Sequence, residues 1–157
     1  MCQETAVGDL EQSIAYLLKR AATALRTAMD AVLCPLDLTV PQYACLELLG
    51  QSSGQSNADL ARGAFVSRQA MNQVLRGLQD RGLLIRPPIA THGRALPTQL
   101  TGEGRRILHA ASSAVARVEQ QMLRPLTAED RHRLRRDLTA CTTAVADTEP
   151  RPKKQLE

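Results

Sequence analysis

Aromatic residues are almost missing from this chain of 157 residues: Trp is absent, and Tyr16, Tyr43 and Phe65 are the full set. A core without rings must be built from Leu, Ala and Val, which favour helices, and an all-β sandwich is therefore excluded as the leading fold. Cysteine is sparse and unpatterned. Cys2, Cys34, Cys45 and Cys141 form no C-x-x-C pair, and His92, His109 and His132 are scattered, so neither a zinc site nor a disulfide framework follows. No basic segment followed by an apolar run opens the sequence, and no stretch approaches the roughly 18 apolar residues of a membrane span. The expectation is a reduced, cytoplasmic protein with no membrane partner and no cofactor.

What is present is a charge asymmetry. The net charge is +4, but residues 1–53 carry three Lys/Arg against six Asp/Glu, whereas residues 54–106 carry eight Arg, no Lys and three acids. Residues 107–157 hold nine basic residues against seven acidic ones. Basic charge concentrated in the middle and supplied by Arg alone suits contacts to phosphate and guanine.

Apolar periodicity places the elements. Leu10, Ile14, Leu17, Leu18, Ala21, Leu25, Ala28 and Val32 repeat at helical spacing over residues 9–33, until Cys34-Pro35 stops the run. Thr39-Val-Pro-Gln42 reads as a capping box for a short second helix ending near Gly50, and Ser56-Asn57 caps a third over residues 58–63. Ser67 caps a fourth, running to residue 80 or 81. Its apolar face is Met71, Val74, Leu75 and Leu78, which leaves Arg68, Gln69, Asn72, Gln73 and Arg76 together on the opposite side. Gly82 ends that helix, Leu83 to Arg86 reads as a strand, and residues 87–97 as a hairpin with Gly93 and Arg94 at its tip, returning through residues 98–100. A long helix from residues 101–104 carries Ile107, Leu108, Ala111, Ala114, Val115, Val118 and Met122, and Pro125 stops it. Thr127 caps a last helix with Leu134, Leu138, Cys141 and Val145 on one face and residues 131–136, RHRLRR, along its outer side.

The chain is thus mainly α with a small β component, an α+β winged helix in the order α-α-α-α-β-β-α-α. Three long amphipathic helices are more than one chain of this size can bury alone, which predicts a symmetric homodimer. Residues 1–38 and 102–146 form the expected helical dimerisation region, residues 39–101 the DNA-binding lobe and residues 147–157 a disordered tail.

This order and the motifs within it resemble the MarR family of winged helix-turn-helix transcription regulators. Residues 60–86 resemble that family's helix-turn-helix and first wing strand, ending in L-x-x-R-G-L-x-x-R at Leu78, Arg81, Gly82, Leu83 and Arg86. Gly93-Arg94 is similar to its wing tip, and residues 100–104 to the entry of its fifth helix. The resemblance covers residues 9–146. It departs at His92, where the family carries an acid, and at Pro97 in the return strand.

A mechanism follows from the residues. A helix fits the major groove, where Arg reads guanine and Asn or Gln reads adenine. Ser67, Arg68, Gln69, Asn72, Gln73 and Arg76 are the expected recognition-helix contacts. Arg62, Arg81 and Arg86 are expected to clamp phosphates, with His92, Gly93 and Arg94 at the flanking minor groove. Two copies would read an inverted repeat in double-stranded DNA. The resemblance further implies a repressor released by a small aromatic or phenolic ligand, in a crevice to which Tyr16, Arg20 and Tyr43 are assigned. Its thiol-responsive branch implies oxidant sensing, for which Cys34 and Cys45 are the candidates. A helical protein-interaction module that binds no DNA is the further alternative. No catalytic triad spacing, metal-ligand set, phosphate loop or nucleotide fingerprint occurs, so an enzyme is not expected.

Overall fold

The computed structural model describes residues 10–86 and 98–146, and the chain divides into two compact units between Glu119 and Gln120. The expected hairpin tip, with His92, Gly93, Arg94 and Pro97, and the expected tail at 147–157 lie outside the described residues. Six α-helices and two short strands are described: α1 (Ile14–Leu33), α2 (Val40–Gln51), α3 (Asn57–Gly63), α4 (Arg68–Asp80), β1 (Leu84–Ile85), β2 (Gln99–Leu100), α5 (Gly102–Leu123) and α6 (Ala128–Ala146).

Each helix begins where a side chain can take an orphan backbone N–H. The α1 helix starts later than its periodicity suggests: a 3-10 turn spans Leu10–Gln12, and the Ser13 side chain then caps Ile14 onward. For α2 both halves of the capping box are made, with Gln42 N donating to Thr39 Oγ1 at 3.4 Å and Thr39 N donating to Gln42 Oε1 at 2.9 Å. Ser56 and Asp59 form a second box at α3, which moves its start to Asn57. Pro35 sits inside a second 3-10 turn, Cys34–Leu36, that closes α1.

The first unit packs one core under the helix-turn-helix. Leu33, Leu46, Leu60, Met71, Leu75, Leu78 and Leu84 are its largest fully buried side chains, drawn from α1, α2, α3, α4 and β1. No ring is among them, as the aromatic shortage required, although Tyr43 packs half-buried against this cluster.

The two strands pair antiparallel, Leu84 opposite Leu100 and Ile85 opposite Gln99. Their base is tied to α5 by a dense knot. Thr101 N donates to Leu83 O at 3.1 Å, Thr101 Oγ1 donates to Gly82 O at 2.7 Å, and the same oxygen accepts from Gly104 N at 2.9 Å. Gly82, at φ +68°, makes the left-handed turn out of α4 that this knot requires.

In the second unit Thr127 caps α6, accepting from Asp130 N at 3.2 Å. Among the described residues of this unit the stripe of α6 is open: Leu134, Leu138, Cys141 and Val145 are all exposed, and the helix contributes no buried residue. Three of its four arginines have partners within this unit. Arg133 pairs with Glu129, Arg136 with Asp137, and Arg131 Nε donates to the carbonyls of Leu123 and Leu126. Among the described residues no single helix is long and apolar enough to cross a membrane.

Candidate nucleic-acid interface

The α4 helix is set by its two faces. Met71, Leu75 and Leu78 are sunk in the core, Val74 is half-buried beside them, and Ser67, Arg68, Gln69, Asn72, Gln73 and Arg76 are all exposed. Three apolar anchors at helical spacing fix the rotation of the helix, so the polar residues are brought onto one open face. Ser67 Oγ accepts from Ala70 N at 3.1 Å, which leaves its hydroxyl proton available to an outside acceptor.

One of these side chains is already held. Asn57, the first residue of α3, presents Nδ2 3.0 Å from Asn72 Oδ1 and 3.4 Å from the carbonyl oxygen of Arg68. The sequence reading missed Asn57, because its partners stand 11 and 15 residues along the chain and no periodic pattern links them.

The predicted phosphate clamps separate. Arg86 is exposed at the end of β1. Arg62 is exposed on α3 and contacts the carboxylate of Asp59, which is held below the usual carboxylate range first by the Ser56 hydroxyl, then by the Ser56 backbone and by Arg62 itself. Arg81 is engaged within the protein. Its guanidinium donates to the carbonyl of Asp37 and, at 3.2 Å, to that of Leu36, so it staples the end of α4 to the turn after α1. The carbonyls that α1 and its 3-10 turn leave open explain the attraction.

Phe65 is a second residue that periodicity could not single out. It lies between α3 and α4 at φ +55° and is 95% exposed. Tight turns at this point call for a left-handed residue, and a bulky side chain adopts that conformation at a cost.

The remaining candidates fall into distinct settings. Arg20 lies over the Tyr16 ring, 5.8 Å from its centroid. Tyr43 instead neighbours Ser112 and Glu47; burial raises its hydroxyl above the ordinary value and Glu47 adds to the rise, while the Ser112 hydrogen bond opposes it. Ser112 Oγ donates to Glu47 Oε2 at 2.8 Å, and both line a cavity of about 330 Å³ with Arg105 and His109. Cys45 is fully buried, and desolvation pushes its thiol up to about 12. The oxidant-sensing role expected of it therefore lacks the thiolate such chemistry starts from. Cys34 is exposed and borders a cleft of about 450 Å³ with Asp30, Asp37, Thr39, Gln42 and Arg81.

Comparison with known proteins agrees with this geometry. Residues 36–95 match the MarR family. The HTH-type transcriptional repressor Rv2887 of Mycobacterium tuberculosis is 43% identical over 125 residues, which is 80% of this chain and 90% of that protein. The crystal structure of Rv2887 in complex with salicylic acid is similar with a TM-score of 0.70 at 42% identity, covering 82% of this chain and 96% of that one. Its complex with DNA is similar with a TM-score of 0.69 at 40% identity, covering 82% and 97%. With an Arg- and amide-bearing α4 on a helix-turn-helix, a two-stranded wing base and this identity across nearly all of a curated repressor, the chain belongs to the MarR family of DNA-binding transcription regulators, which are not enzymes.

Proposed function

We propose that this chain is a dimeric, cytoplasmic transcriptional repressor that reads an inverted repeat through α4 and releases it when a small phenolic acid binds. The observation that carries the reading is the open face of Ser67, Arg68, Gln69, Asn72, Gln73 and Arg76, held outward by buried Met71, Leu75 and Leu78. In a major groove Arg68 and Arg76 match guanine edges or phosphate, and the amides match base edges. Arg62 and Arg86 serve the flanking phosphates, and His92, Gly93 and Arg94 the minor groove. Arg81 is left out of this set, because its donors hold Leu36 and Asp37.

Residues 1–38 and 102–146 supply the dimer in this reading, and residues 39–101 the DNA-binding lobe. The exposed stripe of α6 supports it: a helix with four apolar residues at helical spacing and none buried asks for a second copy. A ligand of the phenolic class is supported by the crystals of Rv2887 with salicylic acid and with p-aminosalicylic acid. Of the expected crevice residues, Tyr43 neighbours Ser112 and Glu47, which line a cavity where Arg105 and His109 are the cationic or hydrogen-bonding partners for a ligand carboxylate. Release requires that the ligand favour a conformation other than the DNA-bound one.

The test is fluorescence anisotropy with the duplex upstream of the chain's own gene, across a salt series and with added salicylate or peroxide. A regulator of this kind loses about 10³-fold or more in affinity between roughly 50 and 200 mM salt. Salicylate is expected to weaken binding and peroxide to leave it unchanged. Failure to bind any duplex in dilute buffer overturns the reading in favour of a helical interaction module.

A further inference from the structure

Phe65 occupies a position that favours glycine. It follows Ala64, the C-cap of α3, and the turn around it is closed by backbone alone. Phe65 N donates to Arg62 O at 3.2 Å, and Val66 N donates to Ala61 O at 3.0 Å. Two such bonds spanning a left-handed residue are a common close of a helix, and that residue is most often Gly. Among the described residues the other left-handed positions hold Gly54, Gly82 and Asp37. A short polar Asp is tolerated there, whereas a bulky side chain is strained.

The ring does not serve the fold. The apolar contact that accompanies such a turn comes from its neighbours: Ala61 is buried, and Ala64 and Val66 pack against the same core. Phe65 itself is 95% exposed. A strained position whose side chain the fold does not use points to a function outside the chain.

The surroundings of the ring indicate the partner. Ser67, the cap of α4, is two residues on. The two Cα atoms are therefore no more than about 7 Å apart, against a major groove about 12 Å wide. A duplex that takes the first turn of α4 into its groove brings the groove wall within reach of the ring. Arg62 and Arg68, three residues to either side, are both exposed, and of the two only Arg62 is paired with an acid among the described residues. Two copies of this chain meeting at Phe65 would bring like charges together, whereas DNA brings phosphates to them. The dimer region read above, residues 1–38 and 102–146, also leaves this turn outside it.

We propose that Phe65 is a DNA-contacting residue whose ring packs on an apolar group of the operator, a thymine methyl or a deoxyribose, beside the first turn of α4. The inference rests on the DNA-binding reading above and adds an apolar contact to a face that otherwise offers polar side chains. Strain at residue 65 is then the cost of holding a ring next to the recognition helix.

The experiment is fluorescence anisotropy of the full chain on the duplex upstream of its own gene, for wild type, Phe65→Tyr, Phe65→Ala and Phe65→Gly. Phe65→Tyr keeps the ring and is expected to bind within about twofold of the wild type. Phe65→Ala and Phe65→Gly lose it, and their affinity is expected to fall about three- to tenfold, as for half the burial of a Phe side chain. The salt slope stays that of the wild type, because no phosphate contact is lost. Phe65→Gly is at the same time more stable than the wild type, so its weaker binding does not come from a damaged fold. Replacing each thymine in turn by deoxyuridine, which removes only the methyl, identifies the group. If the ring sits on a methyl, one replacement weakens the wild type about fourfold and leaves Phe65→Ala unchanged. If it sits on deoxyribose, wild type and Phe65→Ala respond alike at every thymine. The proposal is overturned if Phe65→Ala binds as tightly as the wild type, if its loss comes with a shallower salt slope, or if Phe65→Gly lowers the Tm or dissociates the dimer. A wild type that binds no duplex overturns the DNA-binding reading itself, an outcome distinct from these three.

Discussion

A Cβ placed on Gly104 would stand 1.9 Å from the carbonyl oxygen of Leu83. That oxygen is the one accepting from Thr101 N, so the contact lies in the knot that joins β1, β2 and the start of α5. The obstacle is backbone and not the end of a flexible side chain. Gly104→Ala is therefore expected to destabilise the chain by about 3 kcal/mol, measured by urea unfolding. Gly102→Ala is the control two residues away, because nothing lies within 4 Å of its Cβ position, and it should change stability little. Equal effects from the two would show that the knot does not position the wing base.

Arg81→Ala separates a structural arginine from a DNA-contacting one. Its hydrogen bonds to the carbonyls of Leu36 and Asp37 are expected to contribute about 1.5 kcal/mol. The Asp37 carboxylate is 3.8 Å away and its side chain is 93% exposed, so Asp37→Asn should change stability by no more than about 0.5 kcal/mol. The salt dependence of DNA binding gives the second readout. Arg68→Ala should lower the slope by about one, and Arg81→Ala should leave it unchanged.

Phe65→Gly is expected to stabilise the protein. A left-handed Phe costs about 1–2 kcal/mol, and glycine's greater freedom in the unfolded chain takes back about 0.5–1 kcal/mol. At 95% exposure the ring loses no burial on removal. The expected net gain is about 0.5–1 kcal/mol, seen as a higher Tm in calorimetry. A fall in Tm would mean that the ring makes a stabilising contact in the assembled dimer.

These cases show where the sequence stopped being readable. The caps of α2 and α4 were legible because Thr39 and Gln42, or Ser67 and Ala70, are three residues apart, and local chemistry decides them. The polar face of α4 was legible because its apolar complement repeats with the helical period. Arg81 sits in the family's L-x-x-R-G-L motif, whose spacing points to phosphate and says nothing of the internal partners 44 and 45 residues back along the chain. The Asn57–Asn72 bond, 15 residues apart, likewise exists only once α3 and α4 are packed. Spacing reveals which side chains share a face, but not which of them the rest of the protein has already engaged.

Cys45 offers a pH test whose direction is fixed by burial. Its thiol is pushed from 9.0 to about 12 in the fold, so the folded chain keeps a proton that the unfolded chain releases above pH 9. The unfolded state then binds fewer protons, and stability falls as pH rises between about 9 and 12, by about 1.4 kcal/mol per pH unit from this group. Below pH 9 the contribution is fully present. Tyrosines and lysines titrate in the same range, so the measurement is the difference between wild type and Cys45→Ala in urea unfolding from pH 7 to 10.5. Thiol labelling at pH 8 is the companion, with the Cys45 peptide unmodified until denaturant is added and Cys34 modified at once.

The exposed stripe of α6 leads to the remaining prediction. Leu134 and Leu138 stand one helical turn apart in the middle of this stripe, 38% and 40% exposed, so a charge at Leu138 is tolerated in a single chain but opposed in an apolar contact with a second copy. Leu138→Asp is expected to convert the protein to a monomer by light scattering while its circular dichroism stays helical. Each monomer still carries one α4, so binding to a single half-site survives. The gain from holding two recognition helices on one duplex is lost, and affinity for the full inverted repeat should fall by about a hundredfold or more. A monomeric Leu138→Asp variant with unchanged operator affinity would separate DNA reading from dimerisation, because one helix would then carry all of the recognition.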